Sequence, residues 1–409
     1  MKPADCDSSG LIPVKQALAH LLADAPRVGE IERVALQDAG NRVLAVDLVS
    51  AIAVPPADNS AMDGYAVCVA DLPDDLCLPV SQRIAAGQQP QPLAKGTAAR
   101  IFTGSEIPPG ADAVVMQEQC QAEGDRVRLQ QRPPQGNNIR PAGQDIQPGQ
   151  PIVSAGTRLD GRHLGVIASV GTAEVEVYRR LRVTLLTTGD ELVMPGQPCA
   201  GGQIYNSNYF SLQGLLQPLA VEVRYPGIVP DSADATRNAL AEAAENSDLI
   251  ITSGGVSVGE EDHVKAAVEA LGHLDLWRLA IKPGKPLAYG RVGQTPLLGL
   301  PGNPAAVLVT FLLLARPYLL TQQGVKEIAT LSIAVKSNFS RERTIVRDEY
   351  LRACLQQQDG ECYAGPIDNQ SSGVLSSSLL ADGLLCLPAH QPVAKGQMLR
   401  FYPFASLLA

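Results

Sequence analysis

The stretch DLIITSGGVSVGEEDHVK, residues 248–265, decides how the chain folds. Leu249, Ile250 and Ile251 form a short apolar run bounded by glycines, the pattern of a parallel strand buried on both faces. Gly254 and Gly255 let the backbone turn sharply and approach a ligand closely, and a helix opens near Asp262. Open α/β sheets bind ligands at such carboxyl ends of strands. Exposed N–H groups in the turn suit a phosphate or an oxyanion. Glu261 and Asp262 stand beside it and could hold a hard cation such as Mg²⁺. A loop that merely turns would read the same way.

Outward from this stretch, α and β signals alternate. A strand over 183–186 leads into Thr187-Thr188-Gly189-Asp190-Glu191, and a helix covers 208–219. A strand over 221–229 ends in Pro230-Asp231, and a helix covers 234–245. That order predicts a parallel sheet with right-handed crossovers. Acids fall at three successive strand ends: Asp190 with Glu191, then Asp231, then Asp262. These ends share one edge of an open sheet, so the acids can converge as metal ligands or as acid and base. Three separate helix N-caps would give the same pattern.

Downstream, Arg278, Lys282 and Lys285 are packed into RLAIKPGKP, whose prolines and glycine fix the loop's shape. In an acidic protein this is a local anion clamp, with lysine as a point charge for phosphate. A solvated basic loop is the alternative. Leu300-Pro301-Gly302-Asn303-Pro304 then opens an apolar helix over 305–315, with Asn303 as N-cap and Pro304 at N1, an end that can itself bind an anion.

An amphipathic helix over 14–23 precedes all this, with Pro13 suiting its first turn. Strand and turn pieces over 31–49 follow. The loop 55–64 crowds Asp58, Asn59, Ser60 and Asp63 before an alternating strand, which an Asx-type turn explains equally well. Residues 81–144 read as a β-rich module of short strands, with Thr103 at one strand end and Arg140 and Asp145 in a turn-rich segment. Turn and helix follow over 151–173. After Pro317 the composition changes, and 331–409 read as a separate small β domain. It carries the polar cluster 368–373, with Arg347 and Arg352 flanking a strand.

Composition narrows the function. The net charge of −9, from 42 acidic and 33 basic residues, argues against a general nucleic-acid binder, as do the few aromatics. Any anion must therefore be held by a local basic cluster or by backbone amides. No apolar segment follows the first ten residues, so no secretory signal is expected. The longest uncharged stretch, 292–315, is interrupted by prolines and glycines, so its helical half is expected to be too short to cross a bilayer. Eight cysteines without zinc-like spacing read as reduced thiols of a cytoplasmic protein.

Taken together, PPADNSAMDGYAV, TGSEIPPGADAVVMQEQ, AGQDI, TTGDEL, TSGGVSVGEEDHVK, AIKPGKP and LPGNP resemble, in order, the motifs of the molybdopterin molybdenumtransferases. These are the MoeA-type enzymes of molybdenum cofactor synthesis, similar to the E domain of gephyrin. The likeness runs from about residue 11 to the end and is weakest in the first 50 and last 80 residues. It implies a multidomain α/β and β protein. A molybdopterin-binding α/β domain with a parallel sheet would take 11–30 and 177–328, and a mixed linker domain 31–54 and 146–176. A β-rich domain would take 55–145, and a C-terminal β-barrel 329–409. The resemblance also implies a homodimer, with the site between one subunit's α/β domain and the other's β-rich domain.

The implied reaction joins molybdate to adenylated molybdopterin, with Mg²⁺-dependent release of AMP. Pterin phosphate, AMP phosphate and molybdate are all anions, which Lys282, Lys285 and Arg278 can neutralise. Arg347 or Arg352, with Ser371, would close the oxyanion pocket. Gly254, Gly255 and Ser257 would form the phosphate-facing loop, beside Asn303. Asp190, Glu191, Asp231 and Asp262 are the ligand or acid–base candidates for Mg²⁺, with Asp190, Glu191 and Asp262 as the metal set. Asp63, Thr103 and Asp145 would reach the site from the partner subunit. Other proteins of the synthesis are the implied macromolecular partners; nucleic acid and membrane are not. Departures from the family pattern are Arg278 for a common lysine, His263-Val264 for a common Tyr-Thr pair, and Asn369-Gln370-Ser371-Ser372 in the turn of the last domain. Two other readings remain: adenylylation of molybdopterin, the preceding step, and a non-catalytic scaffold.

Overall fold

The computed structural model describes residues 10–255, 263–328 and 330–408. Its central strand is Leu249–Ser253, buried at every position. It runs parallel to Arg182–Thr188 on one side and to Thr295–Leu300 on the other. Beyond Arg182–Thr188, the 221–229 strand appears as two pieces, Glu222–Arg224 and Ile228–Val229, both parallel to it. Pro226 cannot donate to a ladder, and Gly227 has φ +103°.

The sheet is mixed rather than wholly parallel. Gly272–Leu279, Pro286–Val292 and Thr295–Leu300 form an antiparallel meander, and Leu11–Ile12 closes the edge parallel to Gly272–Leu279. Connection length explains the difference. A parallel crossover needs about a dozen residues or more, whereas Gly293 and Gln294 alone join the last two strands. Leu249, Ile251, Leu298 and Leu300 pack into the main core on one face, and Ile250 and Leu297 into a second core on the other.

The apolar helix is longer than expected. It runs Pro304–Gln322, 19 residues, straight through Pro317. A π-helical turn at Phe311–Ala315 lies just before the proline, a device that lets a helix absorb a missing or displaced hydrogen bond. Its length therefore reaches that of a membrane span, contrary to the expectation from sequence. However, 89% of its most apolar window is buried inside the molecule. Val14, Ala17 and Leu21 of the helix Val14–Asp24 share its core.

Three further bodies surround this sheet. Six strands between Gly64 and Leu129 form one sheet. Along Gly64–Val67 the side chains alternate between two clusters, Tyr65 and Val67 into one and Ala66 into the other, as a period-2 strand requires. Ile31–Ala35 pairs with Glu174–Tyr178, and Leu48–Val49 with Pro151–Val153. These distant segments share the core of Leu44, Leu159, Ile167 and Val175. In the last body, Asp348–Gln358, Glu361–Pro366, Ile333–Ser337, Met398–Pro403 and Gly383–Leu387 pair in a ring that returns to Asp348–Gln358, a closed five-stranded barrel. A two-residue strand of the α/β body, Ile281–Lys282, adds to it in parallel, with Lys282 opposite Glu349. That strand joins sheet and barrel at the site.

Candidate functional site

A cavity of about 810 Å³ opens between the carboxyl edge of the central strands and the barrel. Gly254 and Gly255 form its floor, residues 282–286 and 301–303 its sides, and Arg347, Glu349 and residues 370–372 the wall on the barrel side. The sequence dictates the tightness of this floor. Gly255 has φ +66°, and a Cβ there would stand 2.5 Å from Val264 Cγ2. Gly284 has φ +103°, and a Cβ there would stand 2.5 Å from Thr310 Cγ2. Asn208 ties two of the loops together, its amide donating to Ser253 Oγ at 2.8 Å and to the Gly302 carbonyl at 2.7 Å.

Among the described residues, Lys282, Lys285 and Arg347 bring three cations to the cavity wall, against the carboxylate of Glu349. Glu349 is buried, and its Oε1 accepts from Lys282 Nζ at 2.7 Å. Its Oε2 accepts from Arg341. Burial alone would raise this carboxyl's pKa, but the two cations outweigh it and hold the pKa below the ordinary glutamate range. Arg347 donates to the Ile281 carbonyl at 3.3 Å, which fixes it beside Lys282.

Several sequence expectations change here. Arg278 is exposed on its strand and is not in the cavity wall. Arg352 does not face the cavity either. It is fully buried, and its Nη2 donates to the carbonyls of Asn369 and Ser371 at 3.1 Å each. Gln370 brackets the Arg352 peptide, accepting its N–H at 3.0 Å and donating to its carbonyl at 2.8 Å. Through Nη2, Arg352 therefore holds the turn that presents Ser371. A barrel-strand arginine reads as exposed only until the turn that covers it is seen.

The helix start differs too. Asn303 is the N-cap with Pro304 next to it, but the Asn303 side chain makes no capping hydrogen bond and lines the cavity instead. The Ala305 amide, one of those expected to face an anion, donates to the Ser372 carbonyl at 3.0 Å. The barrel turn thus caps the helix.

Of the acids, Asp190 and Asp231 meet: Asp190 Oδ1 accepts the Asp231 amide at 3.1 Å. The Glu191 carboxylate folds back over Gly189. Neither these three nor any cluster of three His, Cys, Asp or Glu side chains forms a metal-ready group among the described residues. Ser257, Glu261 and Asp262 lie outside the described residues. On the β-rich body, Asp63 Oδ1 accepts both the amide and the hydroxyl of Thr103, each at 2.7 Å. Those bonds, the amide's first, hold the half-buried Asp63 carboxyl below its usual pKa. Asp145 is exposed on the neighbouring loop, with its amide bonded to the Val54 carbonyl. None of the three lines the cavity of its own chain.

Glu349, Arg341 and Asn208 escaped the reading of the sequence, and Gln370 was read only as one member of the polar cluster 368–373. The only available signal was a carboxylate set beside the apolar run Tyr350-Leu351, a position where an unpaired charge would be costly.

The family model for the MoeA N-terminal region (domain I and II) matches residues 12–171, that for a probable molybdopterin binding domain matches 184–321, and that for the MoeA C-terminal region (domain IV) matches 335–404. The molybdopterin molybdenumtransferase of Haemophilus influenzae is 37% identical over 97% of this chain and 100% of its own. The chain belongs to the MoeA family of molybdopterin molybdenumtransferases. The Nostoc member is 38% identical over 81% of this chain and 78% of its own. The solved molybdopterin biosynthesis protein MoeA of Pyrococcus horikoshii superposes with a TM-score of 0.80 at 26% identity, over 96% of this chain and all of that one. As a MoeA-family transferase the chain acts in molybdenum cofactor biosynthesis. Its cavity lies where the molybdopterin-binding region and the C-terminal region of the family meet.

Proposed function

We propose that this chain inserts molybdate into adenylated molybdopterin with Mg²⁺-dependent release of AMP, yielding the molybdenum cofactor. The observation that carries the reading is the convergence of Lys282, Lys285 and Arg347 on one cavity at a strand edge, in a protein whose net charge is −9. All the proposed reactants are anions there. Ammonium groups offer point charges to phosphate and molybdate oxygens, and the guanidinium of Arg347 adds a planar pair of donors. Fixed cations of this kind favour the charge that develops on a phosphoryl group as AMP leaves. The floor glycines let the backbone come close to the pterin phosphate.

Mg²⁺ is commonly held by one or two carboxylates together with substrate phosphates. Asp190, Glu191 and Asp262 are the proposed ligands, with Asp231, whose amide donates to Asp190 Oδ1 at 3.1 Å, as a further acid–base group. Mg²⁺ bound there would polarise the phosphoryl group. The working enzyme is a homodimer in which Asp63, Thr103 and Asp145 of the partner subunit complete the cavity. The support is that half-buried Asp63 and exposed Thr103 form a preorganised pair that lines no part of its own chain's cavity. The four-part division, with boundaries at 31, 55, 146, 177 and 329, and a cytoplasmic setting belong to the same proposal. The seven described cysteines are free thiols.

Purified protein with adenylated molybdopterin and Mg²⁺ should release AMP faster when molybdate is added. Consumption of ATP to make the adenylated pterin would instead assign the preceding step. Tight binding without turnover would make the chain a scaffold.

A further inference from the structure

We infer that Glu349 is a positioning residue of the anion cavity, acting through Lys282; the inference rests on the proposed reaction only for its catalytic consequence. A flexible lysine on a loop samples many rotamers, and ordering it on substrate binding costs entropy. Here the ordering is done in advance. The Glu349 carboxylate is 4% exposed and fixed by its own strand. One of its oxygens holds Lys282 Nζ at 2.7 Å, and the other is held by Arg341. The backbones of Lys282 and Glu349 are themselves paired in register. Lys282 is still 45% exposed, and an ammonium has three donors, so one bond to Glu349 leaves two for a ligand.

Arg341 matters as much as the pair. A lone buried carboxylate would neutralise Lys282 and compete with the incoming anion. With Arg341 on its far side, Glu349 sits between two cations, and the three groups together keep a net positive charge. Glu349 belongs to the barrel and Lys282 to the strand that leaves the α/β sheet. The ion pair therefore sets the lysine relative to both walls of the cavity.

The test is a double-mutant cycle of Glu349→Gln with Lys282→Ala, read as kcat and KM for AMP release and, separately, as the Kd of AMP by calorimetry. Displacing a positioned group by about 1 Å can cost on the order of 100-fold in rate, so E349Q should lower kcat about tenfold or more while weakening AMP about threefold. Both effects should vanish when E349Q is added to K282A. Glu349→Asp, which keeps the charge but shortens the reach, should recover part of kcat, and it serves as the second variant if E349Q does not fold. Effects of E349Q that multiply with those of K282A, or an E349Q enzyme with wild-type kcat and AMP affinity, would overturn the assignment. If the wild-type protein releases no AMP, the proposed reaction fails, and the calorimetric cycle alone decides the role of Glu349: weakening in E349Q that is lost in the K282A background supports it, and weakening that persists there overturns it.

Discussion

Gly284→Ala probes the cavity loop where its geometry is least forgiving. The residue has φ +103°, and an added Cβ would stand 2.5 Å from Cγ2 of Thr310, which is fully buried in the long core helix. Forcing an L-residue into the left-handed region costs about 1–2 kcal/mol. Driving an extra carbon into packed surroundings costs about 1–3 kcal/mol more, so G284A should lose about 2–5 kcal/mol in total. Thr310→Ser removes the offending methyl and leaves the hydroxyl, which donates to the Ala306 carbonyl at 2.8 Å. In a T310S background, G284A should therefore cost only the backbone share, about 1–2 kcal/mol. Urea unfolding followed by the fluorescence of Trp277, the single tryptophan, reads the same sheet. AMP affinity reads the displacement of Lys282 and Lys285. Equal cost of G284A in both backgrounds would refute the steric reasoning.

The other predictions concern groups on and around the site. Asp63→Ala should leave the assembly folded, by size-exclusion and melting, and abolish AMP release; full activity would count against its placement at the partner's cavity. The Thr103 amide lowers the Asp63 pKa more than its hydroxyl does. Thr103→Val should therefore raise that pKa only part of the way toward the ordinary aspartate value in a carboxyl NMR titration, and a complete return would show that the amide bond is absent. Asp248 is gripped by Arg179 at 2.7 Å and Arg182 at 3.1 Å. Burial pushes its pKa up, but these bonds outweigh it and hold it well below the usual carboxylate range. A depressed folded pKa contributes stability above the unfolded value near 4 that is lost as pH falls. Asp248→Asn should thus cost about 2–4 kcal/mol at pH 7 and flatten the acid limb of the stability curve below pH 4. Asn208→Ala removes two bonds between site loops, which should cost about 1–3 kcal/mol and weaken AMP in calorimetry.

Much of this site was legible in the sequence because the chemistry sits on loops with distinctive residues. The strand Leu249–Ser253 and its glycines, the paired lysines of residues 282–285 and the Asn303-Pro304 helix start could all be read from residue type and spacing. Connection length was the weaker signal: strand–helix alternation suggested a parallel sheet, yet short turns such as Gly293-Gln294 impose the antiparallel meander. Pro317 suggested a helix end, but the π-helical turn ahead of it carries the helix on to Gln322. Charges in the barrel were the least legible. Arg352 and Glu349 lie on one strand, Asp348–Gln358. Only the fold shows that Arg352 is buried under the 369–371 turn while Glu349 reaches Lys282. Ion pairs between residues 67 positions apart leave no local pattern to read.

The most direct test of the central claim is reconstitution. Wild-type protein, and a Lys282→Ala/Lys285→Ala variant of matched folding, would be incubated with adenylated molybdopterin, Mg²⁺ and molybdate, and the product offered to an apo-molybdoenzyme. The account predicts activation by the wild-type product, with AMP released alongside it, and loss of both in the variant. Wild-type product that leaves the apo-enzyme inactive, or a variant as productive as the wild type, would contradict it.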